Sequence, residues 1–212
     1  MSHRSIRIGF AISGLALAAC RAQPVPNTPA GAVARTPSVT PSAAKAPSAD
    51  HEGNTEAPAD VTRLLALLPT ARIDLEQAIA QAERQGARAI SAKFELDDGQ
   101  LSLSVYTAKQ GIEQDAEHNV LAELSGDPTQ PAWQPQEEIF ADAKHLARAS
   151  YHLTLVQRSK LALADVMAKA LAKQPGQVYS IEPGIHDRSP IFHVLIATSG
   201  GGHVNIDVES GA

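Results

Sequence analysis

Ile73-Asp74-Leu75-Glu76-Gln77-Ala78-Ile79, continuing through Ala80-Gln81-Ala82, is the stretch on which the fold reading turns. Leu75, Ala78, Ile79 and Ala82 fall at i, i+3, i+4 and i+7, which is one face of an α-helix. Asp74 suits the N-cap, because its short carboxylate can accept from the free amides of the first turn. Gln77, three residues on, completes the capping box, and Ile73 with Ala78 can close a hydrophobic staple.

A shift of 88 residues brings a second such stretch into line. Leu65 falls on Leu153, Leu67 on Leu155, Leu68 on Val156, Ile73 on Leu161, Leu75 on Leu163, Ala78 on Val166, Ile79 on Met167 and Ala82 on Ala170. A fixed offset of this length predicts a duplicated unit. The second helix has Ala162 where the first has Asp74, so it lacks a side-chain cap. A shorter amphipathic stretch is expected ahead of each helix. Val61, Leu64, Leu65 and Leu68 form one, capped by Asp60. Ile139, Ala143, Leu146 and Ala147 form the other, with Glu137 and Glu138 near its start and Arg148 near its end, as the helix dipole favours. Tyr151 to Val156 reads equally as helix or strand.

After each principal helix the period drops to two. Ala92, Phe94 and Leu96 alternate with Lys93 and Glu95; Asp97-Asp98-Gly99-Gln100 is a hairpin signal; Leu101, Leu103 and Val105 alternate with Ser102, Ser104 and Tyr106. Phe192, Val194 and Ile196 take those apolar places in the second copy. For the last strand an offset of 85 aligns His118 with His203, Leu121 with Ile206 and Ser125-Gly126 with Ser210-Gly211. That offset turns Leu121 inward, whereas alternation favours Val120, Ala122 and Leu124, and a one-residue slip would reverse the strand's faces. The predicted fold class is α+β. It comprises two repeated units, 60–127 and 136–212, each a helix packed on a three-stranded antiparallel sheet. The join, Asp127 to Pro135, carries Pro128, Pro131 and Pro135 and reads as a linker, with Trp133 packing the units together or meeting a partner.

What precedes residue 60 reads differently. Arg4 and Arg7 give a positive start, Ile8 to Leu17 is apolar, and Leu17-Ala18-Ala19-Cys20 closes the run with small residues. This is signal-peptide architecture, and the run is well short of the roughly 20 residues that span a bilayer. Leu17-Ala18-Ala19-Cys20 resembles the bacterial lipobox. The resemblance implies cleavage after residue 19, acylation of Cys20 and attachment to a membrane through the acyl chains, two of which suffice for stable anchoring. Arg21-Ala22, in place of an Asp after the cysteine, implies sorting to the outer membrane, on the periplasmic side. Residues 21–59 hold seven of the chain's 14 prolines among Ala, Ser and Thr, with no hydrophobic period. Together with Cys20 they read as a disordered tether over 20–59, since they cannot bury enough apolar area to offset their ordering entropy. At about 3.1 Å per residue such a tether reaches about 120 Å extended, and about 35 Å as a flexible coil.

Formal charge is −5, and −7 without Arg4 and Arg7. No Lys/Arg cluster is placed to follow a phosphate backbone, so nucleic acid is not an expected partner. Cys20 is the chain's single cysteine, which leaves 60–212 without a disulfide, a Cys-zinc site or a thiol nucleophile.

The helix opening Ile73 to Ile79 and the closing strand Ile206-Asp207-Val208-Glu209-Ser210-Gly211 together resemble the PepSY domain, a small module of exported and envelope proteins. The likeness covers roughly 73–126 and 161–211. The first copy departs at its close, where Leu121-Ala122-Glu123-Leu124-Ser125-Gly126 lacks the Asp. The resemblance implies a non-catalytic module that binds or inhibits peptidases, with no catalytic residue and no cofactor to carry over.

Three groups invite chemistry. Ser199-Gly200-Gly201-Gly202-His203 could cradle an anion, but phosphate loops run from a strand into a helix, and this one joins two strands, as a hairpin does. His186, His193 and His203 could hold a metal only if they converge with supporting partners. Asp97-Asp98 is ordinary turn composition. The sequence therefore predicts no catalytic, cofactor or metal residue, and lipidation at Cys20. The outward strand positions Lys93, Glu95, Tyr106, His193, Asn205 and Asp207 are the expected contact surface for a protein partner. An envelope scaffolding lipoprotein and a histidine-dependent metalloenzyme stand as the alternatives.

Overall fold

The computed structural model describes residues 58–84 and 86–210. The expected signal peptide, Cys20 and the expected tether up to residue 57 lie outside the described residues. The chain runs α1 (Pro58–Leu67), α2 (Leu75–Glu83), β1 (Arg88–Asp97), β2 (Gln100–Ala108), β3 (Leu121–Gly126), β4 (Gln136–Ile139), α3 (Ala143–Ser159), α4 (Leu163–Lys173), β5 (Gln177–His186), β6 (Ser189–Ala197) and β7 (His203–Glu209). It is an α+β fold built on one antiparallel sheet of seven strands, in the order β4-β3-β2-β1-β5-β6-β7.

Helix α2 forms for the reasons its sequence supplies. The Gln77 N–H donates to Asp74 Oδ1 at 2.8 Å, and the Asp74 N–H donates to Gln77 Oε1 at 3.1 Å. Leu75, Ala78, Ile79 and Ala82 are buried. Helix α4 starts without a side-chain cap at Ala162 and buries Leu163, Val166, Met167 and Ala170. Helix α1 begins at Pro58, packs on β1 and buries Leu64, with Leu68 just beyond its end.

The β1–β2 turn places Asp98 at φ 48° and Gly99 at φ 75°, and the β5–β6 turn places Asp187 at φ 47° and Arg188 at φ 68°. Two successive residues at positive φ make the turn whose twist matches a two-residue hairpin. The ladder then fixes which side chains share a face. Ala92, Phe94, Leu103 and Val105 lie on one side with Ile181, Phe192, Val194, Ile206 and Val208. On β7 that is the side α4 covers, since Val208 is buried while Asn205 and Asp207 are exposed. Helix α2 touches α4 and so shares that face. Ser91, Lys93, Glu95, Ser104, Tyr106, Glu123, Glu182, His193 and Asp207 point to the other.

Four expectations change. The strands do not form two separate sheets of three: β1 pairs with β5 at Ala92↔Ile181 and Lys93↔Ser180, which gives each strand's otherwise open edge a partner. The join does not end in an extended linker, because Gln136–Ile139 adds β4 to the edge of β3. Ile139 is therefore a strand residue, 60% exposed, and not part of a helix. Helix α3 starts later, where Asp142 accepts from the Lys144 and His145 amides at 3.1 Å each. It continues unbroken through Tyr151 to Val156 and buries Ala149, His152, Leu153 and Val156, leaving Leu146 and Ala147 exposed.

The last change concerns the closing strands. Val105 faces Leu124 and Val194 faces Ile206, so Leu124 corresponds to Ile206, an offset of 82 and not 85. Leu121 and Ala122 are both buried although they point to opposite faces. The reason is α3, which lies on the face opposite α2 and α4 and closes that end of the sheet from the second side.

Candidate functional site

On the polar face of the sheet α3 crosses β1, β2 and β5. Arg148 and His152, one helical turn apart, point down onto Ser91, Lys93, Ser104 and Tyr106 of β1 and β2 and Glu182 of β5, around a small, shallow depression. The space between them is about that of a single water molecule, so it admits no cofactor.

His152 is 6% exposed, and its Nδ1 lies 3.0 Å from Ser91 Oγ. Its ring lies 6.3 Å from that of Tyr106 and 6.1 Å from that of Tyr151. Burial, and then the positive charges of Arg148 and Lys93, push its pKa down to about 3, so the imidazole is neutral at physiological pH. Tyr106 is 7% exposed and packs edge-on against Phe140 at 4.8 Å. Burial, and then the carboxylate of Glu123, push its phenol up to about 12. Glu123 is itself raised, by burial. Lys93 holds Glu95 at 2.6 Å, and the Ser104 hydroxyl donates to the same carboxylate at 2.7 Å.

Farther along, where α3 also touches β6, the face carries His193, Asn205 and Asp207. His193 Nδ1 lies 2.8 Å from Asp207 Oδ1, and the Asn205 side-chain amide donates to that oxygen at 3.1 Å. Both Asn205 and Asp207 are exposed. Of the six residues expected to form a contact surface, all six lie on this face, but Tyr106 is shut beneath α3 and Phe140.

His186, His193 and His203 are not brought together. His193 pairs with Asp207, His203 lies edge-on 6.2 Å from Tyr179, and His186 sits at the β5–β6 hairpin 3.5 Å from Asp187. Among the described residues no group of three His, Cys, Asp or Glu side chains is placed to hold a metal ion. Ser199–Gly202 forms the β6–β7 loop, closed by the Thr198 N–H donating to the Gly202 carbonyl at 2.9 Å. Asp97 and Asp98 occupy the first hairpin turn. Trp133 is 5% exposed and lies in the core beside Gly126, its carbonyl accepting from the Gln81 side chain at 3.1 Å, so it is no contact surface.

Ser91, Arg148, His152 and Glu182 carry no shared signal in the sequence that marks them as a group. One signal could have found His152: the 88-residue shift lays it on Leu64, so a histidine stands where the first copy buries a leucine. Nothing local links it to Ser91, 61 residues away.

Among the described residues no helix is long and apolar enough to cross a membrane. No family model and no curated protein matches the chain. Among solved structures, the chain is similar to a presumptive lipoprotein of Clostridium difficile 630, with 16% identity, coverage of 66% of this chain and 90% of the other, and a TM-score of 0.33. At that score the likeness carries no argument about fold or role.

Proposed function

We propose that this chain is an exported lipoprotein, cut before Cys20 and held to the outer membrane by acyl chains on that cysteine. On this reading it presents tandem PepSY-like modules that bind a protein partner without catalysing a reaction. Leu17-Ala18-Ala19-Cys20 and the proline-rich tether support the anchoring. Duplication is supported by the spacing of elements: α2 and α4 start 88 residues apart, β1 and β5 start 89 apart, and so do β2 and β6. Both long hairpins also shift register at corresponding points, between Ala89 and Ser91 and between Val178 and Ser180. The observation that carries the binding role is the part of the polar face where His193, Asn205 and Asp207 stand on a sheet backed by α4. The sheet's outer strands, β4 and β7, each have one edge to which a partner strand could add.

A peptidase is the partner class that the PepSY likeness favours. Crosslinking in intact cells, followed by capture of the anchored protein, tests it. The expected result is a peptidase in the captured set whose activity changes when purified protein is added. Capture without any peptidase, together with unchanged envelope peptidase activity, overturns the peptidase reading. Anchoring is tested separately by mass spectrometry of membrane-extracted protein, which should show an acylated N-terminal cysteine. A soluble, unmodified mature chain, indifferent to Cys20→Ser, would exclude it.

A further inference from the structure

Strand β7 forms one outer edge of the sheet, and the hydrogen bonds at its two ends show which backbone groups stand along that edge. The Thr198 N–H donates to the Gly202 carbonyl and the Ser210 N–H to the Pro190 carbonyl, both continuing the β6–β7 register. Antiparallel strands alternate between bonded and unbonded pairs. Val204, Ile206 and Val208 therefore direct their N–H and C=O groups at β6, while those of His203, Asn205, Asp207 and Glu209 point outward. The Lys173 ammonium, which donates to the Asp207 carbonyl at 3.1 Å, reaches it from that outer side.

Exposed edges are normally blunted by short length, repeated charge, a bulge or proline. β4 is blunted in this way: it has four residues and two successive acids, Glu137 and Glu138, so pairing its centre with a copy of itself sets carboxylate against carboxylate. β7 has seven residues, keeps one register along its length and contains no proline. Its sequence, His203-Val204-Asn205-Ile206-Asp207-Val208-Glu209, complements itself when reversed. An antiparallel copy centred on Ile206 sets His203 opposite Glu209 and Asn205 opposite Asp207 on the polar face. On the face that α4 covers it sets Val204 opposite Val208 and Ile206 opposite Ile206, and so extends the cover over the half-buried Val204 and Ile206. The outward residues then meet as bonded pairs and the others as unbonded pairs, as an antiparallel ladder requires. Centring on Asp207 would oppose that carboxylate to itself, and centring on Asn205 would leave Val208 and Glu209 past the end of the other strand. The two Asp207 side chains lie diagonally, each already beside its own His193 and Asn205. Lys173 need not leave, because a carbonyl oxygen has two lone pairs and can accept a second N–H. The Ser199–Gly202 loop, with no side chain larger than serine, leaves room beside the end of the neighbouring strand.

We propose that β7 is a self-association edge, at which two copies of this chain pair their β7 strands antiparallel about Ile206 and join their sheets into one. Such a contact is isologous, the same patch on both copies, and self-complementarity is what it demands. It does not depend on how the chain is anchored or on whether it meets a peptidase.

The test uses the chain from residue 20 onward carrying Cys20→Ser, which can form no disulfide of its own. In sedimentation equilibrium from about 10 µM to about 1 mM, the mass should rise from monomer to dimer with a Kd of about 100 µM, since a contact along one strand edge is at the small end of specific interfaces. Asn205→Pro removes an N–H that points away from β6. It should raise the Kd at least about 10-fold, because the loss occurs in both copies. His203→Glu, at an exposed position, sets acid against Glu209 and should raise the Kd about 5-fold, and adding Glu209→Lys should restore it. Ile206→Cys should form a disulfide between copies on mild oxidation, whereas Val204→Cys, which faces Val208 of the other copy, should not. A monomer at every concentration overturns the proposal. So does a dimer that Asn205→Pro leaves unchanged, or a His203→Glu loss that Glu209→Lys fails to restore. Val204→Cys crosslinking as readily as Ile206→Cys overturns it too, since the strands would then pair in another register. Neither membrane nor peptidase enters these measurements, so their failure leaves the partner reading standing, and an empty crosslinking capture in cells leaves them interpretable.

Discussion

Acid should weaken this fold through one side chain. His152 has a pKa near 3 in the folded chain, against an ordinary value of 6.5. Between those two values the unfolded chain binds a proton that the folded chain refuses, so stability falls as pH falls through that window. From pH 7 to pH 5 a single such group costs about 2 kcal/mol, because the folded form stays unprotonated while the unfolded form goes from mostly neutral to almost fully charged. The perturbation is His152→Leu, which fills similar space and cannot titrate. It leaves the Ser91 hydroxyl without its partner, a penalty of about 1–3 kcal/mol that is the same at both pH values. Urea unfolding at pH 7 and pH 5 can be followed by the fluorescence of Trp133, the chain's single tryptophan. The carboxylates Asp115, Asp127 and Asp142, held low by hydrogen bonds from His118, from Gln130 and Thr129, and from His145, also titrate toward acid. They do so in both proteins and cancel from the comparison. Wild type should lose about 2 kcal/mol more than the variant between the two pH values. Equal losses would show that His152 protonates freely in the folded chain, and the account of α3 as a sealed cover would fail.

Asp74→Ala removes the side-chain acceptor of the capping box and should lower stability by about 1 kcal/mol, while Ala162→Asp, at a position already in extended conformation before α4, should raise it by a similar amount; paired urea melts check both. Gly176→Ala places a methyl group against the Ala197 carbonyl and the Ile196 side chain, where backbone must move, so a loss of about 1–3 kcal/mol is expected in the same assay. A normal midpoint for that variant would mean that the α4–β5 turn yields more easily than its packing implies.

The parts of this fold legible in the sequence are those whose causes are local. The Asp74 cap, the stripe of Leu75, Ala78, Ile79 and Ala82, and the Asp98-Gly99 turn each depend on residues within a few positions of one another, and all stand as read. Periodicity reports which positions are buried but not what buries them. That is why Ile139, Leu146 and Ala147 were read as a helix face, when Phe140 and the Asp142 cap divide strand β4 from α3. It is also why the polar side of β1 and β2 looks like free surface in the sequence: Lys93, Ser104 and Tyr106 alternate as solvent-facing residues do, and only the docking of α3 encloses them. The edge pairing of β1 with β5 joins Ala92 to Ile181 and leaves no mark on either segment, because backbone hydrogen bonds carry no side-chain signature. Tyr106, Arg148 and Glu182 come from β2, α3 and β5, and nothing in the linear order of residues sets them together. The sequence by itself determined α2 with its cap, the apolar face of α4 and the β1–β2 turn, but not strand β4, the Asp142 cap of α3 or the start of α1 at Pro58, which puts Asp60 inside the helix. The tertiary structure alone decided which face each helix covers, because that choice is made by contacts between segments tens of residues apart.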